Sequence, residues 1–176
     1  MKKLLIIGLL ITMLLTTGCG TFNLFPWVMP DDLEFITVVA ELDTPQKICD
    51  YLRDNFTYTE PCLYSPSPYD FWLAKEGDCN DFADFGRFVA HQHGYETYKL
   101  LICFKYTIIS HIMTIYVQDG KYDYQNIKRL YTLQADSFRE VMEHFESYTT
   151  EWSIKSYKVY DWNGKLVEKG DMYHEF

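Results

Sequence analysis

The dipeptide Asp119-Gly120 separates two runs of β-forming residues and constrains the fold more than any other feature of the sequence. Asp-Gly is a favoured two-residue turn between antiparallel strands, and a turn of that length fixes the register of both strands. The pattern therefore predicts a strand over 110–118 and a returning strand over 121–127. In this register Val117 lies opposite Tyr122, so the identity of every facing pair along the hairpin follows.

Helices are predicted before and after this hairpin. Thr44 followed by proline is a helix start, and Gly77-Asp78 is a break and a cap before a second helix that Gly94 closes. On this second helix Asp81, Asp84 and Arg87 lie mostly opposite an apolar stripe. The remaining predicted elements are a β-rich run over 96–109, a helix over 137–148 and a terminal hairpin around Asn163-Gly164, while 57–71 is expected to be an aromatic loop.

The N-terminus has the composition of an export signal. Lys2 and Lys3 precede a twelve-residue, mostly apolar stretch over 4–15, and small residues follow it. Twelve residues rise only about 18 Å as a helix, against about 30 Å of bilayer hydrocarbon, which disfavours a permanent span. Residues 15–19 resemble the lipobox of bacterial lipoproteins, which implies that Cys19 is lipidated and becomes the new N-terminus. An ordinary cleaved signal and an uncleaved anchor are the alternatives.

Removal of residues 1–18 from the 176-residue chain leaves 158 residues, which suits one domain with a single core. We expect a tether and first packing segment over 19–43 and one domain over 44–176. The formal charge of −9 becomes −11 once Lys2 and Lys3 are removed. An acidic chain repels phosphate backbones, so nucleic acid is not expected as a partner.

Four cysteines remain after Cys19, at positions 49, 62, 79 and 103. They form no Cys-x-x-Cys pair and no Cys/His cluster with zinc-site spacing, so neither a structural metal nor a cofactor is expected. An exported protein can form disulfides. If one thiol is functional, Cys49 with Cys62 is the pair we favour for a single bridge.

Cys79 is the candidate nucleophile, because it occupies the first turn of a predicted helix. Unpaired backbone N–H groups and the positive end of the helix dipole stabilise a thiolate there. Asp78 opposes this effect unless its charge is engaged in capping. The alternative is that Cys79 is a small buried residue on the apolar stripe.

His111 is the best-placed base among five histidines. It begins a strand whose buried face is predicted to carry His111, Met113 and Ile115, with Thr114 and Tyr116 pointing away. A structural histidine is the alternative. The other four are expected to be surface residues: His91 and His93 at the far end of the helix that starts at Cys79, His144 on a later helix and His174 in the tail.

Two side chains on the returning strand could orient the imidazole. The hairpin register puts Asn126 diagonal to His111 on the same face of the sheet. Asp123 pairs with Tyr116 and lies on the opposite face, which makes it the poorer candidate despite its charge.

Three segments together resemble the transglutaminase-like domain of the papain-like cysteine enzyme superfamily. They are residues 44–58, the motif Gly77-Asp78-Cys79-Asn80-Asp81-Phe82-Ala83 through Gly94, and residues 111–126, and the span from 44 to 126 is just over half of the mature chain. The resemblance implies an α+β fold in which the helix carrying Cys79 packs on an antiparallel sheet. It implies Cys79 as nucleophile, His111 as base and Asn126 where the family usually has aspartate. Met113 departs from the family, which often has tryptophan there.

The resemblance implies acyl transfer at an amide bond through a thioester. Release by water describes a cysteine peptidase or amidase, a hydrolase, and release by an amine describes a protein cross-linking enzyme. The expected substrates are proteins or peptides of the cell envelope, met by an extracytoplasmic enzyme anchored to the membrane by lipid. The competing hypothesis is a non-catalytic surface lipoprotein that uses the same fold as a binding module.

Overall fold

The computed structural model describes residues 27–60, 65–149 and 153–172. The proposed signal and lipidation site, Cys62 and His174 lie outside these ranges. Within them, none of the helices combines the length and the apolar character that crossing a membrane requires.

The elements alternate between short helical and extended segments before a run of strands. In chain order they are α1 (Leu33–Glu41), α2 (Pro45–Asn55), β1 (Thr57–Tyr58), α3 (Pro68–Ala74), β2 (Glu76–Gly77), α4 (Cys79–Gln92), β3 (Glu96–Phe104), β4 (Ser110–Gln118), β5 (Lys121–Asn126), β6 (Arg129–Ala135), α5 (Phe138–Tyr148), β7 (Ile154–Tyr160) and β8 (Leu166–Asp171).

Six strands form one antiparallel sheet in the order β6-β5-β4-β3-β7-β8. The predicted hairpin register is confirmed, since Val117 lies opposite Tyr122. Asp119 and Gly120 both have positive φ, at 53° and 73°. This is the conformation that a two-residue turn of the favoured type demands. The turn chemistry therefore fixes the pairing of β4 with β5.

Both faces of β4 are buried, which corrects the prediction of one buried face on this strand. Met113 packs under α5 on one side, whereas Thr114 and Tyr116, expected to point away from the core, are fully buried under α4 on the other. Thr114 Oγ1 donates to the carbonyl of Ala83 at 2.8 Å. The hydroxyl of Tyr116 donates to the side chain of Gln125. Because these polar groups are paired inside the domain, hydrophobicity alone did not reveal the second interface.

Helices α1 and α3 correct two further predictions. The first packing segment is helical over Leu33–Glu41, capped by Asp32, which accepts a hydrogen bond from the N–H of Phe35 at 3.0 Å. The expected aromatic loop contains a helix over Pro68–Ala74, where Ser67 is the cap and proline occupies the first turn. Both helices place aromatic rings against α4 and so support the helix that carries Cys79.

Candidate active site

The N-terminus of α4 is held by a reciprocal cap. Asp78 Oδ1 accepts hydrogen bonds from the N–H groups of Asn80 at 2.8 Å and Asp81 at 3.4 Å, and Asp81 Oδ2 accepts from the N–H of Asp78 at 2.9 Å. This capping box satisfies the donors around Cys79. Among the described residues no acceptor is bonded to the N–H of Cys79 itself. That N–H is available to an oxygen arriving at the first turn.

The thiol of Cys79 is protonated in this environment. The side chain is buried, and burial raises its pKa to about 11. Hydrogen bonds from the N–H groups of Ile112 and Asn80 lower the pKa, and the charge of Asp78 raises it. The thiolate stabilisation that we expected from the helix terminus is therefore outweighed by desolvation. The bond from Ile112 also locates the sulfur beside the residue that follows His111.

His111 is half-buried at the start of β4, and its Nε2 lies 2.8 Å from Asn126 Oδ1. An amide oxygen only accepts, so Nε2 carries the proton of the neutral ring and Nδ1 is the basic nitrogen. Burial lowers the pKa of His111, with the Asn126 hydrogen bond acting in the opposite direction. The ring of Phe145 lies nearly parallel to the imidazole, at 5.8 Å between centroids. The imidazole is thus oriented, neutral and covered on one side.

Asp123, the less favoured candidate for orienting His111, is bonded elsewhere. Its carboxylate accepts hydrogen bonds from the N–H of Gln134 at 2.8 Å, the side-chain amide of Gln134 at 3.0 Å and that of Gln118 at 3.4 Å. Gln134 has a left-handed backbone with φ of 55°. The carboxylate therefore stabilises an irregular position on β6, in keeping with its location across the sheet from Asn126.

The other described histidines also have partners. His91 stacks on Trp162 at 3.9 Å between ring centroids, His93 Nε2 contacts the carbonyl of Val39 at 2.8 Å, and His144 Nδ1 lies 2.9 Å from the hydroxyl of Tyr124. His91 is exposed, as predicted for a surface residue, whereas His93 and His144 are half-buried. The contacts of all three tie their helices to the rest of the domain.

Asn126 is one of the residues that line an open cleft of about 510 Å³. Its wall includes Tyr58, whose pKa is raised to about 12 by burial and by the nearby Cys79 and Asp78. The cleft therefore adjoins the first turn of α4. Its lining residues are Gln46, Arg53, Tyr58, Asn126, Ile127, Lys128, Arg129 and Leu130. Tyr58 belongs to the segment predicted to be an aromatic loop, whereas the basic residues were not anticipated because they have no distinctive spacing in the sequence.

A buried ion cluster anchors α4 to β3. Lys99 Nζ lies 2.9 Å from both carboxylate oxygens of Asp84, and Arg87 Nη1 lies 3.5 Å from Asp84 Oδ1. All three side chains are buried. Asp84 and Arg87 were placed opposite the apolar stripe by the sequence, yet that side of the helix meets the sheet. The cluster gives α4 a fixed position along the strand.

Gln125 links α4 to the strand that carries Asn126. Its amide nitrogen donates to the carbonyls of Phe82 at 3.2 Å and Ile127 at 2.7 Å, and its oxygen accepts from the hydroxyl of Tyr116. Gly86 allows this close approach. The bonds couple the helix of Cys79 to the residue after Asn126.

Two further sequence-based predictions concern metal binding and the pairing of Cys49. No three His, Cys, Asp or Glu side chains converge to hold a metal ion in residues 27–60, 65–149 and 153–172. Cys49 is a free, buried thiol, and its expected bridge partner, Cys62, lies outside the described residues. Burial raises the pKa of Cys49 to about 12.

The arrangement of helices and sheet is shared with solved structures. Legionella pneumophila LapG after EGTA treatment has 13% sequence identity and a TM-score of 0.50 over 77% of each chain. Calcium-bound LapG gives 13% and 0.48, covering 69% of this chain and 70% of that one. A Cytophaga hutchinsonii protein provisionally described as a cysteine protease gives 16% and 0.42, covering 82% of this chain and 58% of that one.

The chain has the transglutaminase-like fold. The resemblance on which the sequence-based prediction of an α+β papain-like core rested is therefore confirmed at the level of fold. No model of a known protein family and no curated protein sequence matches the chain. Because the identities are low, the roles of individual residues within the transglutaminase-like fold depend on the geometry described above.

Proposed function

We propose that the protein is a cysteine enzyme of the cell envelope that performs acyl transfer at amide bonds through Cys79, His111 and Asn126. The observation that carries this proposal is the oriented imidazole. Asn126 holds the proton of His111 on Nε2, which leaves Nδ1 as the basic nitrogen. The next residue, Ile112, donates its backbone N–H to the Cys79 thiol. A thiol on α4 and an oriented neutral imidazole on the neighbouring strand β4 supply the two groups that a nucleophile and its general base require.

The reaction begins with the neutral pair. As Cys79 Sγ attacks the amide carbon, His111 Nδ1 takes the thiol proton and the carbonyl oxygen becomes an oxyanion. The uncapped N–H of Cys79 donates to that oxyanion. His111 then gives the proton to the leaving nitrogen, the C–N bond breaks, and a thioester remains on Cys79. Water or an amine attacks the thioester while His111 accepts its proton. The C–S bond then breaks, the acid or the new amide is released, and His111 returns the proton to sulfur, which restores the thiol.

Hydrolysis is the favoured outcome of the second half-reaction. The cleft beside Asn126 is open to solvent, which gives water access to a thioester formed there. The protein is therefore proposed to be a peptidase or amidase. Protein cross-linking differs only in the acceptor and is distinguished by experiment.

A screen of wild type against Cys79→Ala tests the proposal. The substrates are a peptide library and a glutamine peptide offered with a labelled amine donor, followed by mass spectrometry. Peptide cleavage or ammonia release that is lost in Cys79→Ala supports hydrolysis, and amine incorporation supports cross-linking. Cys103→Ala is the matched control, since Cys103 is a half-buried free thiol on β3. Equal turnover by wild type and Cys79→Ala contradicts the proposal.

A non-catalytic binding module is the second candidate, and the burial of Cys79 favours it. Only 8% of this residue is accessible, and its pKa is raised. A binding module predicts no turnover by wild type, together with retention of the same peptides by wild type and Cys79→Ala.

The lipid anchor at Cys19 is part of the proposal and has its own test. Metabolic labelling with a fatty acid, followed by extraction of membranes, is expected to label wild type and not Cys19→Ala. An unlabelled wild-type protein that is recovered in the soluble fraction of the envelope contradicts the anchor. It leaves the proposed export in place.

A further inference from the structure

The cleft beside Asn126 is basic although the chain as a whole is acidic. The protein carries a formal charge of −9, yet the charged residues lining the cleft are Arg53, Lys128 and Arg129. Arg53 is already neutralised by Asp50 at 2.6 Å and Asp54 at 3.0 Å. Neither Lys128 nor Arg129 forms an ion pair with any described acidic residue. Among the described residues, Lys128 and Arg129 therefore have no carboxylate at ion-pair distance, and the Arg129 guanidinium lies 4.6 Å from the centre of the Tyr131 ring.

Lys128 is the more constrained of the two. Its ammonium group donates to the carbonyl of Phe56 and lies 5.7 Å from the centre of the Phe82 ring. The side chain is half-buried, and an ammonium has three donors, of which Phe56 uses one. A partly desolvated charge with no counter-ion is unfavourable unless a ligand supplies the opposite charge. A carboxylate supplies both that charge and acceptors for the remaining donors.

The turn that carries Lys128 has a strained backbone. It joins β5 to β6 through Ile127 and Lys128, with Asn126 paired to Arg129. Ile127 has φ of 53°, a left-handed conformation that a β-branched residue adopts at a cost. The carbonyl of Ile127 is held at 2.7 Å by Gln125, which also bonds α4. Because these hydrogen bonds hold the strained turn in place, they define the position of Lys128 relative to Cys79, His111 and Asn126.

We propose that the Asn126–Arg129 turn forms a subsite in which Lys128, assisted by Arg129, binds a carboxylate of the substrate peptide. This inference rests on the proposed function and narrows its substrate class to acidic peptides. Phe82 is one helical turn from Cys79, so Lys128 lies about 10–15 Å from the thiol. An extended peptide covers that distance in about three or four residues. The carboxylate is therefore expected within four residues of the scissile amide.

Matched peptides measure this preference directly. Each library sequence is synthesised with Glu and with Gln at one of the four positions on either side of the cleavable bond, with the C-terminus free or amidated. A charge-assisted bond predicts about ten- to hundredfold higher kcat/KM for the Glu member in wild type. A preference seen only with a free C-terminus identifies the chain terminus, and not a side chain, as the source of the carboxylate.

Variants of Lys128 show whether this residue is responsible. Lys128→Met keeps the apolar stem and is expected to abolish the Glu preference through KM, whereas Lys128→Arg retains it. Lys169→Met on β8, at the opposite edge of the sheet, is the control and is expected to leave the preference intact. If Lys128→Met does not fold, wild type supplies the test, because its Glu preference must weaken as ionic strength rises.

The outcomes separate this inference from the proposed function. Equal turnover of Glu and Gln peptides, or a preference that survives Lys128→Met, overturns the subsite and leaves the enzyme. If wild type cleaves nothing, the same peptide pairs are tested for binding to immobilised Cys79→Ala. Retention that is selective for the Glu peptides and depends on Lys128 then supports the subsite and rejects the enzyme. Retention without this selectivity, or no retention, overturns the subsite.

Discussion

Gly86→Ala tests whether the sheet and the helix of Cys79 are as close as the structure indicates. A Cβ at this position would overlap the side-chain oxygen of Gln125 and stand 2.7 Å from the hydroxyl of Tyr116. Neither atom is the free end of a mobile chain, because both are buried and bonded to each other. Gln125 has to leave its position, and its bonds to Phe82 and Ile127 are lost with it.

The expected cost follows from these contacts. Overpacking of a filled core costs about 1–3 kcal/mol. Two lost amide bonds and a buried tyrosine hydroxyl without its acceptor add about 2–4 kcal/mol. Replacing a helical glycine by alanine raises the stability of the helix by about 1 kcal/mol, which offsets part of this loss. The net effect is a loss of about 2–6 kcal/mol in the free energy of unfolding, or about 4–24 °C in Tm for a chain of this size.

Urea denaturation of the chain from residue 19, monitored by tryptophan fluorescence and circular dichroism, measures this loss. Gly94→Ala is the control, since its Cβ meets nothing within 4 Å and only the φ of 80° opposes the change. We expect about 1 kcal/mol there. In a Gln125→Ala background the cost of Gly86→Ala should shrink, because the main clash is gone. A Gly86→Ala protein as stable as wild type, or more stable, would refute the close packing of α4 on β5.

Three further predictions concern the site and its supports. Asn126→Asp is expected to raise the pKa of His111, which moves the acid limb of the kcat/KM profile to higher pH, because a neutral base is required. Alkylation of Cys79 by iodoacetamide at pH 7 should be about ten- to hundredfold slower than that of a free peptide thiol, and its rate should rise continuously with pH. A plateau in the rate between pH 5 and 8 would instead indicate a thiolate–imidazolium pair. Lys99→Met leaves Asp84 buried with only the longer contact to Arg87 and should lower the free energy of unfolding by about 3 kcal/mol in urea melts.

The sequence predicted the part of the candidate site that depends on turn chemistry. Asp119-Gly120 fixes the hairpin register, and the register alone puts Asn126 diagonal to His111, where the structure has a 2.8 Å hydrogen bond. Local geometry was sufficient because a two-residue turn leaves no freedom in the pairing. The resemblance in the segment around Cys79 anticipated the fold for a similar reason, since a cap, a nucleophile and an apolar stripe must occur close together in the chain.

Features that depend on tertiary contacts were missed. Strand β6 begins after Ile127 and Lys128, neither of which is a turn residue, so no local signal announced a second hairpin. The charges of Asp84 and Lys99 suggested exposed positions, although the structure pairs them inside the domain. In each case the deciding interaction joins residues far apart in the chain. Local propensity and hydrophobic periodicity do not report such interactions.

The burial of Cys79 has a second consequence that joins the proposed chemistry to the proposed location. Oxidation of cysteine proceeds through the thiolate, and a pKa of about 11 leaves only about one thiolate in ten thousand at pH 7. An exported enzyme with a free nucleophile needs such protection, because nothing outside the cytoplasm keeps thiols reduced as the cytosolic glutathione and thioredoxin systems do. The same property requires His111 to remove the proton during attack, so activity should depend on His111 even at pH 9, where a less buried thiol would ionise unaided. Full activity of His111→Ala at pH 9 would show that the thiol is not protected in this way.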